Sequence, residues 1–122
     1  MVLAGSAGAE TNTVDEVADA TVGRLLRAVP AAVPAIAFLS GGQSAHLASV
    51  RLNAMNAGFR SRMPWALGFS FARAIQQPAL EIWRGLPANV PAAQQAPFHR
   101  ADCNRAARRG EYDPVLDAPK RT

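Results

Sequence analysis

The sequence is poor in the residue types that most catalytic and metal sites use. It contains one cysteine, Cys103, and two histidines among 122 residues, so an internal disulfide is excluded and no metal site or cofactor is expected. A single cysteine is typical of a protein from a reducing compartment, and we expect the cytoplasm. No apolar run approaches the roughly 20 residues that cross a bilayer. We therefore expect no membrane partner.

Lysine is almost missing from a basic chain. Thirteen residues are basic, but the only lysine is Lys120, and the formal net charge is +4. The arginines are scattered apart from one cluster at Arg105, Arg108 and Arg109, and no aromatic residues interleave with them. An arginine-rich protein that binds nucleic acid is therefore the weakest of the alternatives, and we expect no nucleic-acid partner.

Helical and strand patterns alternate along the first two thirds of the chain. Thr13-Val14-Asp15-Glu16 has the spacing of a capping box and predicts a helix that Pro30 ends. Ala35 to Leu39 is a continuous apolar run, typical of a strand that is buried on both faces. Ser44 is a candidate N-cap of a helix that reaches about Ala57. Residues 65–70 form the next predicted strand.

The last third reads as helices followed by a tail. We predict a short helix from about Pro78 to Trp83, with the proline in its first turn, and a final helix that Asn89 caps and that reaches about Arg109. We assign residues 1–113 to the domain and 114–122 to a flexible tail. Alternating strands and helices predict an α/β fold with a parallel sheet. Two strands do not make a stable parallel sheet alone, and a (β/α)₈ barrel needs about 250 residues, so we expect an incomplete barrel.

Two of the apolar runs end in small, hydrogen-bonding residues. Leu39 leads into Ser40-Gly41-Gly42-Gln43-Ser44, and Phe69 leads into Ser70-Phe71-Ala72-Arg73. Such strand ends deliver backbone N–H groups, a hydroxyl and one guanidinium to a single edge, which is how a phosphate is bound. The Ser-Gly-Gly segment alone is better explained as a strand-to-helix turn. Together with Arg73 it favours phosphate binding.

These segments resemble class I fructose-bisphosphate aldolases in order and spacing. Segments between Val29 and Asn56 resemble the seventh strand of that family and the helix after it, and those between Pro64 and Ala74 resemble its eighth strand and phosphate turn. Gly110-Glu111-Tyr112 resembles the family's glycine-basic-tyrosine end, with an acid in the middle. The resemblance reaches about Asp113. It implies the C-terminal part of a (β/α)₈ TIM barrel, with the last two βα units and the C-terminal helices.

The resemblance also implies a substrate phosphate site. The residues that it assigns to this site are Ser40, Gly41, Gly42, Ala72 and Arg73, with Ser70 in support. The serine hydroxyl, the closely approachable glycine backbone and the arginine would contact the phosphate oxygens. Ala72 stands where the family usually has glycine, and its Cβ would be awkward if the local φ had to be positive.

Members of the family cleave fructose 1,6-bisphosphate into dihydroxyacetone phosphate and glyceraldehyde 3-phosphate, a step of glycolysis, through a lysine Schiff base. They are commonly tetrameric. Met1-Val2-Leu3 resembles a segment that follows the catalytic lysine, so we expect a truncated chain that begins shortly after it. The only lysine, Lys120, lies in the predicted tail and is unsuited to that role. We therefore assign no catalytic residue and expect no turnover from this chain alone.

Two other interpretations stay open at this point. The chain is a non-catalytic phosphate-binding module or a split-enzyme partner that docks against a separately encoded N-terminal part. Alternatively, it is an arginine-rich protein that binds nucleic acid, whose binding would fall steeply with salt. The aldolase fragment is favoured over both because several independent segments agree in order and spacing.

Overall fold

The computed structural model describes residues 1–5, 7–8 and 11–117. The helices of that part are α1 (Val14–Ala28), α2 (Ala45–Phe59), α3 (Arg73–Trp83) and α4 (Val90–Arg108), and its strands are β1 (Ala35–Phe38) and β2 (Ala66–Phe69). Three short 3₁₀ turns cover Arg60–Arg62, Pro87–Asn89 and Pro114–Asp117. The two strands are parallel, with Ala35 opposite Ala66 and Phe38 opposite Phe69. The predicted α/β class with parallel strands is confirmed.

Local signals at the starts of α1 and α2 form as predicted. The Thr13 hydroxyl accepts a hydrogen bond from the Glu16 N–H at 3.2 Å, and the Glu16 carboxylate accepts one from the Thr13 N–H at 2.7 Å. The Ser44 hydroxyl accepts from the Leu47 N–H at 3.2 Å. These contacts satisfy N–H groups that have no partner inside their helices.

Two predictions about the later helices are wrong. α3 begins at Arg73, so Pro78 lies in its interior rather than in its first turn. The helix continues through this proline at the cost of one backbone hydrogen bond. Asn89 stands at the start of α4 but does not cap it. Its amide donates instead to the carbonyls of Ile82 at 2.9 Å and Trp83 at 3.3 Å, and so caps the end of α3.

The core forms around α2, which packs against α1 and α4, while α3 packs against α4. Leu52 and Met55 are fully buried on α2. The Asn56 amide donates to the carbonyls of Leu67 at 3.4 Å and Ala107 at 3.2 Å, and it thereby ties α2 to β2 and to the end of α4. A buried amide that is satisfied on several sides fixes the relative positions of these elements.

The strands are not buried on both faces as the apolar run predicted. Ala35 and Ala37 are exposed in β1, and Leu39 just beyond it is 72% exposed. The helices of the described residues cover one side of the two strands and leave the other side in contact with solvent. The accessible surface of the chain, 7957 Å², exceeds the roughly 6300 Å² that a compact monomer of 12.9 kDa exposes. The uncovered strand face contributes to this excess, and so do exposed apolar side chains of α3 and α4 such as Trp83 and Phe98.

The last described residues fold back onto the helices. Tyr112 is buried, and Pro114–Asp117 form a 3₁₀ turn. The flexible tail over 114–122 stays a prediction, because residues 118–122, including Lys120, lie outside the described residues. No helix among the described residues has the length and apolar character needed to span a bilayer.

Candidate functional site

The carboxyl ends of β1 and β2 lie side by side. The Ser70 N–H donates to the Phe38 carbonyl at 2.7 Å, so the parallel pairing continues one step past the strands. This bond brings the two predicted turns, 40–44 and 70–73, to one edge of the sheet. The edge is where ligands bind in parallel α/β sheets.

The turn after β1 needs its two glycines. Gly41 and Gly42 have φ angles of 62° and 79°, in the left-handed region that residues with a Cβ rarely adopt. The Ser40 carbonyl accepts from the Gln43 N–H at 3.1 Å and from the Gln43 amide at 2.8 Å. The same amide group accepts from Arg51 Nη1 at 2.9 Å. The turn is therefore held rigidly by side chains of α2 and its N-terminal flank.

Arg73 reaches across from the second turn to the first. It is the first residue of α3, and its guanidinium Nη2 lies 3.6 Å from the position that a Cβ on Gly42 would occupy. Among the described residues, no carboxylate lies within ion-pair distance of Arg73. The exposed cation is thus placed over a glycine backbone without a fixed counter-charge.

Ala72 fits its position without strain. Its φ is −97°, so the Cβ that replaces the usual hydrogen of glycine is tolerated there. The Ala72 carbonyl accepts from the N–H groups of Ile75 at 3.1 Å and Gln76 at 2.9 Å. No side chain caps this helix, so its first N–H groups carry the partial positive charge of the helix toward the edge.

The predicted site residues divide into two groups. Gly42 and Arg73 line an open cleft of about 410 Å³ between the N-termini of α2 and α3, together with Gln43, Ser44, Ala45, Ala74, Gln77, Pro78 and Glu81. Ser40 is buried beneath the first turn, while Gly41, Ser70 and Ala72 are exposed beside the cleft without lining it. The first turn and the arginine are therefore adjacent, and the remaining predicted residues surround them.

A second polar cluster was not anticipated. Asp117 accepts hydrogen bonds at one oxygen from Arg100, and at the other from the Tyr112 hydroxyl at 2.6 Å. His46 Nδ1 lies 3.2 Å from Oδ2 of Asp117, and His99 Nε2 lies 3.1 Å from its Oδ1. These partners precede Asp117 by between 5 and 71 residues. The sequence gives no signal for this cluster, because Asp117 lies in a proline-flanked segment that predicts a tail.

Burial and hydrogen bonding in this cluster shift the pKa values of Asp117 and Tyr112 in opposite directions. Burial by itself raises the pKa of the Asp117 carboxyl, but the hydrogen bonds from its neighbours, Arg100 first, outweigh burial and hold the pKa well below its ordinary range. Burial, followed by the hydrogen bond to Asp117, raises the pKa of the Tyr112 hydroxyl above its ordinary value. Asp117 therefore stays ionised and Tyr112 stays neutral near pH 7. Cys103 also lies beside them, with its Sγ 3.9 Å from Asp117 Oδ1.

Comparison with known proteins gives one consistent family. The sequence model of glycolytic class I fructose-bisphosphate aldolase matches residues 1–121. The non-muscle aldolase of the lamprey Lethenteron camtschaticum is 51% identical over 115 residues, which are 94% of this chain and 31% of the relative. Aldolase B of Gallus gallus is 52% identical over 112 residues, covering 92% of this chain and 30% of that protein.

A solved structure agrees with the sequence comparisons. The aldolase of Plasmodium falciparum, solved in a ternary complex with TRAP and a small-molecule inhibitor, superposes with a TM-score of 0.83 at 43% identity. The superposition covers 90% of this chain and 31% of that one. The chain thus spans about a third of the length of the relatives that it matches.

Proposed function

This chain belongs to the class I fructose-bisphosphate aldolase family, and we propose that it supplies the phosphate-binding edge of an enzyme that cleaves fructose 1,6-bisphosphate. The observation that carries the proposal is the approach of the Arg73 guanidinium to the Gly42 backbone, at the edge where both strands end. A guanidinium binds two phosphate oxygens at once, and a glycine backbone lets the phosphate come close.

Each part of the edge has a physical role in this proposal. Arg73 neutralises part of the phosphate charge, and the uncapped start of α3 adds the partial positive charge of a helix N-terminus. The hydroxyls of Ser40 and Ser70 and the backbone at Gly41, Gly42 and Ala72 supply hydrogen bonds. Binding at one end of the substrate positions the reacting carbons for chemistry performed elsewhere.

We propose that this chain has the fold of the last two βα units of a (β/α)₈ barrel. The parallel register of β1 and β2, the uncovered strand face and the superposition on the P. falciparum enzyme support it. In a barrel, further strands pair with both outer edges of this two-stranded sheet. Assembly into a homo-oligomer stays a prediction from the family.

The Schiff-base lysine is not among the residues of the strand ends. The sequence has one lysine, Lys120, which lies outside the described residues and well past the strands. A nucleophilic lysine needs a buried or cationic neighbourhood that keeps its amine neutral. We propose that the 122-residue polypeptide by itself forms no Schiff base and is inactive.

Two measurements test this part of the proposal. Borohydride reduction of the purified 122-residue chain with fructose 1,6-bisphosphate is expected to leave its mass unchanged, and a covalent adduct would contradict the proposal. The intact mass of the protein from its source then separates the possibilities. A mass of 12.9 kDa identifies a truncated product or a split-enzyme partner, and a larger mass shows additional residues, among which the lysine can then be sought by the same borohydride reduction.

Phosphate binding is tested by titrating the chain with fructose 1,6-bisphosphate. Arg73→Ala is expected to weaken binding by roughly 10- to 150-fold, the equivalent of a hydrogen bond to a charged group. Arg73→Lys keeps the charge but loses the bidentate geometry. Its affinity should therefore lie between those of the unchanged chain and of Arg73→Ala. Arg24→Ala, an exposed arginine of α1, is the matched control. Equal losses in the Arg73 and Arg24 variants would show that only the net charge matters and would refute the site.

The compartment is not settled by the relatives. Pea relatives include both a cytoplasmic isozyme and chloroplastic enzymes. The cytoplasm stays a prediction, which fractionation of the source cells with an antibody to this chain would check.

A further inference from the structure

Three side chains of metal-binding type converge beside the end of α4. His99 and Cys103 are four residues apart on that helix and therefore share one face. Asp117 approaches them from the 3₁₀ turn that follows. One ligand atom from each residue lies within 4.8 Å of the others.

The geometry differs from that of a catalytic relay. Cys103 Sγ lies 3.7 Å from Nε2 of His99, and Asp117 Oδ1 lies 3.1 Å from the same nitrogen. In a nucleophile–base–acid triad, the nucleophile and the carboxylate contact opposite nitrogens of the imidazole. Here both contact a single nitrogen, so the three atoms surround one point in space.

We propose that His99 Nε2, Cys103 Sγ and Asp117 Oδ1 bind one zinc ion, with water as the fourth ligand. Bond lengths of tetrahedral zinc place ligand atoms about 3.3 to 3.6 Å apart. The observed separations of 3.1, 3.7 and 3.9 Å differ from this range by a few tenths of an ångström. The site goes beyond the proposed phosphate edge and shares none of its residues.

The donor set favours zinc over harder cations. A thiolate and an imidazole prefer zinc, whereas magnesium and calcium prefer oxygen ligands. Binding replaces the S–H bond of Cys103 by an S–Zn bond and releases the proton to solvent. An open groove of about 1000 Å³, lined by His46, His99 and Asp117 among others, provides the entry path.

Arg100 shapes the site from its buried side. Its Nη1 donates to Asp117 Oδ1, while its Nη2 donates to the Ala45 carbonyl at 2.9 Å and to the Ser49 hydroxyl at 2.6 Å. A partner of this kind fixes the orientation of a ligating carboxylate. Its positive charge also opposes the metal, so the thiolate and the carboxylate together are needed to neutralise the zinc ion. Loss of either one should therefore be severe.

The test is a titration of the 122-residue chain with cobalt(II), followed by displacement with zinc. Since Cys103 is the only cysteine, absorption from thiolate-to-cobalt charge transfer reports this site alone. We expect one ion per chain and loss of the band in Cys103→Ser. Removing an outer-sphere partner already costs about 10- to 100-fold in affinity, so His99→Gln and Asp117→Asn should lose at least that much.

Two matched variants serve as controls. His46→Gln removes the other histidine, which faces Oδ2 of the same aspartate, and Asp102→Asn removes an exposed carboxylate of α4. Asp102→Asn should bind cobalt as the unchanged chain does, whereas His46→Gln, which removes only an outer-sphere partner of Asp117, should weaken binding less than His99→Gln does and keep the charge-transfer band. Circular dichroism identifies variants that fail to fold, and His99→Gln carries the test if Asp117→Asn unfolds, since the His99 side chain is 46% exposed.

Three outcomes would overturn the proposal. One is cobalt binding without the charge-transfer band. Another is an equal loss of cobalt affinity in His99→Gln and His46→Gln. The third is undiminished binding in urea, which would show that the thiol binds metal without the folded arrangement.

Discussion

Replacement of Gly110 by alanine should be among the most damaging single-methyl changes in this chain. Gly110 follows α4 and has a φ of 72°. Its N–H donates to the Ala107 carbonyl at 3.1 Å, and the next N–H, of Glu111, donates to the Ala106 carbonyl at 3.0 Å. These two bonds form a Schellman motif, which requires a left-handed residue at this position.

Two costs add at this glycine. The left-handed conformation costs a residue with a Cβ about 1–2 kcal/mol. A Cβ would also lie 3.0 Å from the Ala57 nitrogen, 3.1 Å from its Cα and 3.2 Å from the Asn56 carbonyl carbon. These atoms are helix backbone and do not rotate away, so overpacking adds about 1–3 kcal/mol. We expect Gly110→Ala to lower the free energy of unfolding by about 2–5 kcal/mol.

Two other glycines separate these costs. Gly85 has a φ of 75° but no atom within 4 Å of its Cβ position, so Gly85→Ala should show the conformational cost alone. Gly23 lies inside α1 with equally open space, and Gly23→Ala should stabilise the chain by about 0.5–1 kcal/mol. Urea denaturation followed by circular dichroism measures all three. A Gly110→Ala variant no less stable than Gly85→Ala would refute the steric argument.

Four further predictions concern the second polar cluster and α1. Asp117→Asn in metal-free buffer should lower the free energy of unfolding by about 1–3 kcal/mol, because the buried Arg100 loses its charged partner. Asp102→Asn, at an exposed position, should lower it by less than about 0.5 kcal/mol, and urea titrations measure both variants. The pKa of Asp117 is lower in the folded than in the unfolded state, so its ionised carboxylate stabilises the fold. This stabilisation is complete above the unfolded pKa of about 3.9 and is lost as the pH falls below it. Asp117→Asn should therefore flatten the acid limb of a plot of stability against pH. The pKa of Tyr112 is raised in the folded state, so its effect on stability has the opposite pH dependence. Stability should fall as the pH rises above about 10, and Tyr112→Phe should remove that fall in alkaline thermal melts. Thr13→Ala should cost about 1 kcal/mol through loss of the capping box, and an unchanged melting temperature would contradict this.

Features with local signals were predictable from the sequence. The capping box at Thr13, the N-cap at Ser44 and both strands depend on residues close in the chain, and all appear where they were predicted. The start of α3 differs from the prediction because a proline typically signals the first turn of a helix, and Pro78 lies five residues after the start. The proline is instead absorbed inside a helix that packs along α4.

Features that depend on distant partners were not predictable. Asp117 forms hydrogen bonds with side chains that precede it by 5 to 71 residues, and no local sequence pattern predicts such contacts. The exposed face of β1 was not predictable for a related reason. An apolar run indicates that a strand is suited to burial, but it does not indicate which element covers each face. At the proposed phosphate edge, order along the chain predicts Arg73 and Gly42 at neighbouring strand ends, and the fold brings the guanidinium next to the glycine.

The large accessible surface of the folded chain, to which the uncovered strand face contributes, also determines how sharply the chain unfolds. An unfolded chain of this mass exposes about 18,700 Å², so unfolding would expose about 12,400 Å² of new surface from a compact monomer but only about 10,700 Å² from this one. The urea m-value and the heat-capacity increment both grow with that newly exposed surface. Both should therefore be about one seventh smaller than the chain length implies, and the stability curve of the isolated chain should be correspondingly flatter with temperature.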